Sequence, residues 1–64
     1  MSLEVRERLK SQVATFRVPE LQELLQFLNR RTSGNKRDLL QRAHDVIDRD
    51  PSMSLQTKIR IIFE

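Results

Sequence analysis

The stretch "PELQELLQFLN", from Pro19 to Asn29, has the apolar spacing of a single helical face. Its leucines repeat at i, i+3, i+4 and i+7, which predicts a helix with one buried stripe. Proline suits the first turn of a helix because its fixed φ and missing N–H cost nothing there. Phe27 lies partly off the stripe, where it is free to make a second contact. The leucines of the stripe are Leu21, Leu24, Leu25 and Leu28.

A first helix precedes this segment. The spacing of apolar residues predicts that it runs from Leu3 to Phe16. Pro19 then separates the two helices, because proline disfavours helical backbone at the residue before it. The residues predicted to be buried in the first helix are Val5, Leu9, Val13 and Phe16.

Two further helices are predicted after a loop at Asn29 to Asn35, which is rich in turn-forming residues. The third begins near Asn35 or Lys36, with Ser33 or Asn35 as its cap, and Pro51 stops it. The last runs from about Ser54 to Phe63, with Ser54 as its cap. The predicted buried residues are Leu39, Leu40, Ala43, Val46 and Ile47 in the third helix, and Leu55, Ile59 and Ile62 in the fourth.

The fold class that follows is all-α, a compact four-helix bundle formed by one domain over residues 1–64. The chain has no cysteine and one histidine, which excludes disulfides and thiolate zinc sites and leaves no cofactor to expect. Charges near the N-terminus and the lack of a long apolar run argue against a signal peptide or a membrane span. We therefore expect a soluble intracellular monomer.

The segment "RRTSGNKRDLL", Arg30 to Leu40, concentrates positive charge around the single glycine. From Arg30 to Arg42 there are five cations and one anion, whereas the remaining residues carry seven cations and eight anions. The whole excess of positive charge, +4 against −1, therefore lies in this segment. Such clustering is typical of a protein that binds a polyanion.

The start of the third helix reinforces this prediction. A helix N-terminus offers unpaired N–H groups and a partial positive charge, which attract anions. Lys36 and Arg37 are unfavourable there, because the helix dipole prefers carboxylates in the first turn. A phosphate backbone lying across this turn would remove that cost. Gly34 gives the backbone freedom and allows a ligand to approach closely.

Other motifs are better explained by structure. "LQELL", Leu21 to Leu25, matches the LxxLL pattern of peptides that dock into grooves, but its leucines are also the core stripe. His44 lies at the edge of an apolar stripe and has no catalytic or metal-binding partners in the sequence. The carboxylate pairs Glu20/Glu23 and Asp45/Asp48 are typical of helix ends and solvated faces. We therefore expect no enzymatic activity in this chain.

The segment "FRVPELQELLQFLNRRTSGNKRDLLQRAHDVI", at residues 16–47, resembles the SAP motif. Two leucine-rich helices flank a basic turn that contains a glycine. With flanking helices at about 3–16 and 54–63, the chain is similar to the N-terminal domain of the PIAS proteins (protein inhibitors of activated STAT). The resemblance implies a four-helix bundle that binds A/T-rich, scaffold-attachment-type double-stranded DNA.

The same resemblance implies a setting and a site. PIAS proteins are nuclear SUMO E3 ligases and transcriptional co-regulators, and their ligase activity lies in a zinc-containing RING-like domain, which a chain without cysteine cannot hold. The family often has a basic residue after the glycine, where this chain has Asn35. The DNA-contacting positions implied are Arg30, Arg31, Ser33, Gly34, Asn35, Lys36 and Arg37.

A second function remains open. Basic helical surfaces also bind acidic transactivation segments or other regions of transcription factors, and the PIAS resemblance allows such partners. A protein-interaction module would need apolar contacts, for which Phe27 and Phe63 are candidates. The two functions predict different responses to salt, because DNA binding weakens steeply as salt rises.

Overall fold

The structure, a computed structural model, describes residues 3–64. It contains four helices and, over those residues, no strand, which confirms the predicted all-α four-helix fold. No helix in the described range has the length and apolarity needed to cross a membrane. The helices are α1 (Leu3–Val13), α2 (Val18–Phe27), α3 (Lys36–Arg49) and α4 (Met53–Phe63).

The leucine stripe of α2 lies at the centre of the core. α2 packs against α3, and α1 and α4 cover this pair. Leu21, Leu24 and Leu25 have no exposed surface, so the LxxLL segment is part of the core, as predicted. Val5, Leu28, Leu40 and Ile62 are partly buried against it. The buried apolar residues of the described chain are Leu9, Val13, Phe16, Leu21, Leu24, Leu25, Leu39, Ala43, Val46, Ile47, Leu55 and Ile59.

The predicted end of α1 is wrong by three residues. The helix ends at Val13 because the chain tightens into a turn, in which the N–H of Thr15 donates to the carbonyl of Gln12 (3.1 Å). The Thr15 hydroxyl donates to the same carbonyl at 2.7 Å. Phe16 is nevertheless buried, since the N–H of this residue bonds the Val13 carbonyl and the turn directs its ring into the core.

Both ends of α2 also differ slightly from the prediction. The helix begins at Val18, one residue before Pro19, and the N–H of its cap Arg17 donates to the Glu20 carboxylate (2.7 Å). The predicted end at about Asn29 is replaced by Phe27. Asn29 has a φ of 60°, in the left-handed region that asparagine tolerates better than most residues.

The start of α3 agrees with the sequence, whereas the start of α4 does not. Asn35 caps α3, and its Oδ1 accepts a hydrogen bond from the Asp38 N–H (2.9 Å). The prediction of Ser54 as the α4 cap is wrong, because Ser52 accepts the Leu55 N–H (3.2 Å) and α4 begins at Met53. The buried Pro51 brings Ser52 directly to the helix start.

An ion pair joins α1 to α3. Lys10 Nζ lies 2.7 Å from Asp48 Oδ1, and this hydrogen bond, helped by the charges of Lys10 and Arg6, holds the pKa of Asp48 below its usual value. A carboxyl group whose pKa is lowered on folding stabilises the protein above its unfolded pKa. That contribution is lost as the pH falls through the folded pKa.

We expect replacement of a core leucine to unfold much of the domain. Leu25→Ala should lower the free energy of unfolding by about 2–5 kcal/mol, because it leaves a cavity beside fully buried neighbours. Urea denaturation followed by circular dichroism measures this change. Gln26→Ala, on the exposed side of the same helix, is the control and should change stability by less than about 0.5 kcal/mol. A loss of stability as small as that of the control would show that Leu25 is not part of the core.

We expect Asp48→Asn to lower the melting temperature at pH 7 and to have little effect near pH 2. As the pH falls through the folded pKa, the wild-type carboxyl gains a proton and loses its attraction to Lys10. Melting curves at both pH values provide the test. Asp45→Asn, whose carboxylate pairs with no cation among residues 3–64, is the control. An equal effect of Asp48→Asn at both pH values would contradict the role of the charge.

Candidate nucleic-acid interface

A Schellman turn at the end of α2 sets the direction of the basic loop, residues 28–35. The N–H of Arg30 donates to the Leu25 carbonyl (2.8 Å), and the N–H of Asn29 donates to the Gln26 carbonyl (3.0 Å). These are the two bonds that define the motif, with Asn29 at its left-handed position. The turn satisfies the last carbonyls of α2 and sets the path of the loop from Arg30 onward.

Two side chains from the helices hold the middle of the loop. Arg42 of α3 donates from Nη1 to the carbonyl of Arg31 (3.2 Å) and to that of Ser33. Gln22 of α2 donates from Nε2 to the carbonyl of Thr32 (3.2 Å). Three successive loop carbonyls are therefore bound to the protein, and the negative ends of these peptide dipoles are neutralised.

Gly34 is required by the fold of the loop. Its φ is +114°, a value that strains residues with a side chain. A Cβ atom at this position would lie 3.0 Å from the Asp38 Cβ and Oδ2 atoms and 3.4 Å from an Arg42 nitrogen. The glycine thus lets the loop lie directly against the first turn of α3. The positive φ confirms the backbone freedom that the sequence analysis predicted for Gly34, and the structure adds a local steric reason. Close approach of a ligand stays a prediction.

The first turn of α3 keeps backbone donors available. Asn35 satisfies the N–H of Asp38, the third residue of the helix. The N–H groups of Lys36 and Arg37 have no acceptor within the helix, as at the start of any α-helix. Both side chains are exposed. Backbone N–H donors and cationic side chains thus occur together at the positive end of the α3 dipole.

The cations of the basic loop and of the first turn of α3 have no carboxylate partners within residues 3–64. Lys10 and Lys58 pair with Asp48 and Glu23, at 2.7 and 3.1 Å. These four cations form no ion pair with any carboxylate in that range, and all four are exposed. Their charge is therefore available to an external anion. They are Arg30, Arg31, Lys36 and Arg37.

A cleft of about 250 Å³ extends the basic surface along α3. Arg30 and Arg31 line it from the loop, and Arg42 and Arg49 line it from α3, with Asp45 between them. The sequence analysis missed Arg49, which lies seven residues after Arg42 and hence on the same side of the helix. The i, i+7 spacing of Arg42 and Arg49 is the sequence signal that could have identified Arg49 as part of the basic surface.

The seven residues implied by the resemblance thus have different structural positions. Arg30 and Arg31 lie at the cleft, Lys36 and Arg37 lie at the start of α3, and Asn35 caps that helix. Ser33 offers an exposed side chain, while its carbonyl is bound by Arg42. No group of His, Asp and Glu among the described residues is arranged to hold a metal ion.

His44, on α3, is half-buried, consistent with its expected position at the boundary of the core. Its Nε2 atom is buried and has no hydrogen-bond partner within the described chain. It lies close enough to Asp48 for its charge to favour the ionised carboxyl. It is not part of the loop or the cleft.

Comparison with known proteins identifies the family. The sequence matches the SAP domain family over residues 12–43, half of the chain. The chain belongs to the SAP domain family. Membership supports a module that binds DNA or associates with chromatin, and this module is non-catalytic.

Similar curated proteins are SUMO ligases. The chain is 46% identical over 57 residues to E3 SUMO-protein ligase PIAS2 of Homo sapiens, an alignment that covers 89% of this chain and 9% of that protein. It is 42% identical over 55 residues to E3 SUMO-protein ligase PIAS3 of Mus musculus, covering 86% of this chain and 9% of that protein. The chain therefore spans about a tenth of these relatives. No solved structure gave a significant match.

We expect Arg42→Met to loosen the basic loop and to leave the bundle folded. The change keeps an apolar stem but removes the donors to the carbonyls of Arg31 and Ser33, at a cost of about 1.5–3 kcal/mol for hydrogen bonds from a charged group. Amide hydrogen exchange should accelerate at residues 31–36 and stay slow in α1. Arg49→Met, in the same cleft without these bonds, is the control. Unchanged exchange in the loop would contradict the role of Arg42.

Proposed function

We propose that this chain binds A/T-rich double-stranded DNA through the basic loop and the N-terminus of α3. The observation that carries the proposal is a set of four exposed cations beside a helix N-terminus, none of which pairs with a carboxylate in the described part of the chain. The carbonyls of Arg31, Thr32 and Ser33 accept hydrogen bonds from side chains of the protein. Their negative charge is therefore neutralised, and the nearby cations determine the potential that a phosphate meets. Membership of the SAP family supports the same ligand.

Phosphates would be held first by the start of α3. The free N–H groups of Lys36 and Arg37 and the Lys36 ammonium group provide donors and charge for the phosphate oxygens. Arg49 would hold a further phosphate along the cleft. These contacts set the position of the protein on the duplex and do not depend on the base sequence of the DNA.

Preference for A/T-rich DNA would come from the minor groove. A/T-rich tracts have a narrow minor groove with enhanced negative potential, which attracts inserted arginine side chains. Arg30, Arg31 and Arg37 are long, exposed and free of carboxylate partners in the described chain, so each can supply that side chain. Groove width, more than base-edge hydrogen bonds, would then determine the preference.

The names of the relatives support a proposal for the cellular setting. The similar proteins are named E3 SUMO-protein ligases. We propose that this chain is the DNA-binding module of a nuclear SUMO ligase and transcriptional co-regulator, and that it binds as a monomer. With few contacts, the isolated domain should bind DNA with a Kd of about 10⁻⁴ to 10⁻⁶ M, as is typical of electrostatic binding.

An NMR titration locates the interface. We expect A/T-rich duplexes to shift the amide signals of residues 30–37 and to bind more tightly than G/C-rich duplexes of equal length. Raising the salt concentration should weaken both complexes steeply, because binding releases counterions. Signals that stay unchanged throughout residues 30–37 with both duplexes, even at low salt, would refute the proposal.

Lys36→Ala with Arg37→Ala tests the charge at the helix start. Loss of two positive charges at the interface should weaken DNA binding and reduce the slope of log K against log salt by about 1.8, because fewer counterions are released. Stability should be unchanged or slightly raised, because two cations leave the positive end of the α3 dipole. Fluorescence anisotropy at several salt concentrations and thermal melting provide the measurements.

The control is Arg8→Ala with Arg17→Ala, which removes the same charge outside the loop and the cleft. It should leave the salt slope near its wild-type value. A large loss of stability in the Lys36 and Arg37 variant would mean that these cations are structural. Equal salt slopes in the two variants would mean that DNA binding depends only on the net charge of the protein.

A further inference from the structure

Three apolar side chains remain exposed around one groove between α2 and α4. Met53 is 75% exposed, Ile61 59% and Phe27 50%, and all three line a groove of about 340 Å³. A bundle of this size has a small core, and these large side chains are not part of it. Clustered apolar surface of this kind commonly marks a binding site.

The spacing of the exposed residues on α4 suits a helical partner. Met53, Thr57 and Ile61 repeat at i, i+4 and i+8, so they form one stripe of about 12 Å along the helix. Leu55 and Ile59 are buried in the core on the other side. We call Met53, Thr57 and Ile61 the outer face of α4. An amphipathic helix binds such a surface with its own apolar positions at similar spacing.

The charges beside this face are positive. A second groove runs along the other flank of Met53 and Thr57, and Arg8 and Arg60 line it. Both arginines are exposed, and neither forms an ion pair within residues 3–64. Neither groove has an Asp or Glu in its lining. The partner that complements this surface is therefore acidic.

Lys58 fixes the edge of the surface near Phe27. Its Nζ atom lies 5.4 Å from the centroid of the Phe27 ring and 3.1 Å from the Glu23 carboxylate. The ammonium group thus holds the ring at the groove from one side. Because Glu23 already neutralises Lys58, the free charges for a partner are those of Arg8 and Arg60.

We propose that the outer face of α4, with Phe27, binds an acidic amphipathic helix of another protein. Apolar side chains of the partner would contact Met53, Ile61 and Phe27, and its carboxylates would pair with Arg8 and Arg60. A second copy of this chain is disfavoured, because a two-fold contact through this face would bring its unpaired arginines together. A nucleic acid bound at this surface would make no contact that requires the apolar side chains of Met53, Ile61 and Phe27.

This surface is distinct from the proposed DNA interface. The linings of the two α4 grooves share no residue with the cleft of Arg30, Arg31, Arg42 and Arg49. The chain can therefore bind DNA and an acidic partner as separate ligands. Failure of one binding activity leaves the other measurable on the same protein.

The test uses a short synthetic helical peptide with leucines at i, i+3, i+4 and i+7 and glutamates beside them. We expect it to shift the amide signals of Met53, Thr57, Ile61 and Phe27 in the labelled chain. Ile61→Ser should weaken peptide binding about tenfold by removing an apolar contact worth about 1.4 kcal/mol. Circular dichroism should show a folded variant, since Ile61 is on the surface.

Val18→Ser is the matched control, because it removes a 36% exposed apolar side chain outside both grooves. It should leave the peptide Kd unchanged. Arg8→Gln with Arg60→Gln should weaken peptide binding several-fold and flatten its salt dependence. Ile61→Ser should bind the A/T-rich duplex as the wild type does.

Several results would overturn the proposal. One is the absence of shifts on α4 at millimolar peptide, and another is equal binding of a sequence-scrambled peptide. Shifts confined to residues 30–37 would mean that the peptide binds merely as a polyanion. Concentration-dependent shifts of Met53 and Ile61 without peptide would assign this face to a second copy of the chain.

Discussion

Burial of the leucine side chains of α2 is the interaction on which the rest of this domain depends. The chain has no cysteine, and its described residues provide no metal cluster, so apolar packing must supply its stability. Leu21, Leu24 and Leu25 are completely enclosed by the other helices. A segment used in this way cannot also bind a partner as an exposed LxxLL peptide. Binding must therefore use the loop and the outer faces of the helices.

The basic loop shows how a small domain makes a positive surface from a segment that is neither helix nor strand. Arg42 and Gln22 bind successive carbonyls, and Gly34 lets the loop lie against α3. Fixing the loop before a ligand arrives reduces the entropy that binding must oppose. The cations at the start of α3 oppose its dipole, at a cost of about 0.3–1 kcal/mol each. A bound phosphate would offset that cost, because both the cations and the helix N-terminus attract it.

The helices and core could be predicted from the sequence because apolar periodicity repeats over several turns. Local signals near helix ends were less decisive: Ser52 and Ser54 are both good caps, and only the structure shows that Ser52 accepts the Leu55 N–H. Asn29 in the left-handed turn was equally hard to foresee. The loop contacts of Arg42 and Gln22 join residues nine to eleven positions apart, so only the fold brings them together. The seven candidate DNA contacts remain a prediction.

The two proposed interfaces on one small domain would have a quantitative consequence. When DNA and an acidic partner belong to one assembly, binding of the first raises the effective concentration of the second. The gain in avidity then comes from geometry, and each interface can remain weak and rapidly exchanging. The relatives are about ten times longer than this chain, so a protein of that length has room for further contacts. Weak electrostatic binding at the loop is sufficient in that arrangement, because the linked contacts multiply its affinity.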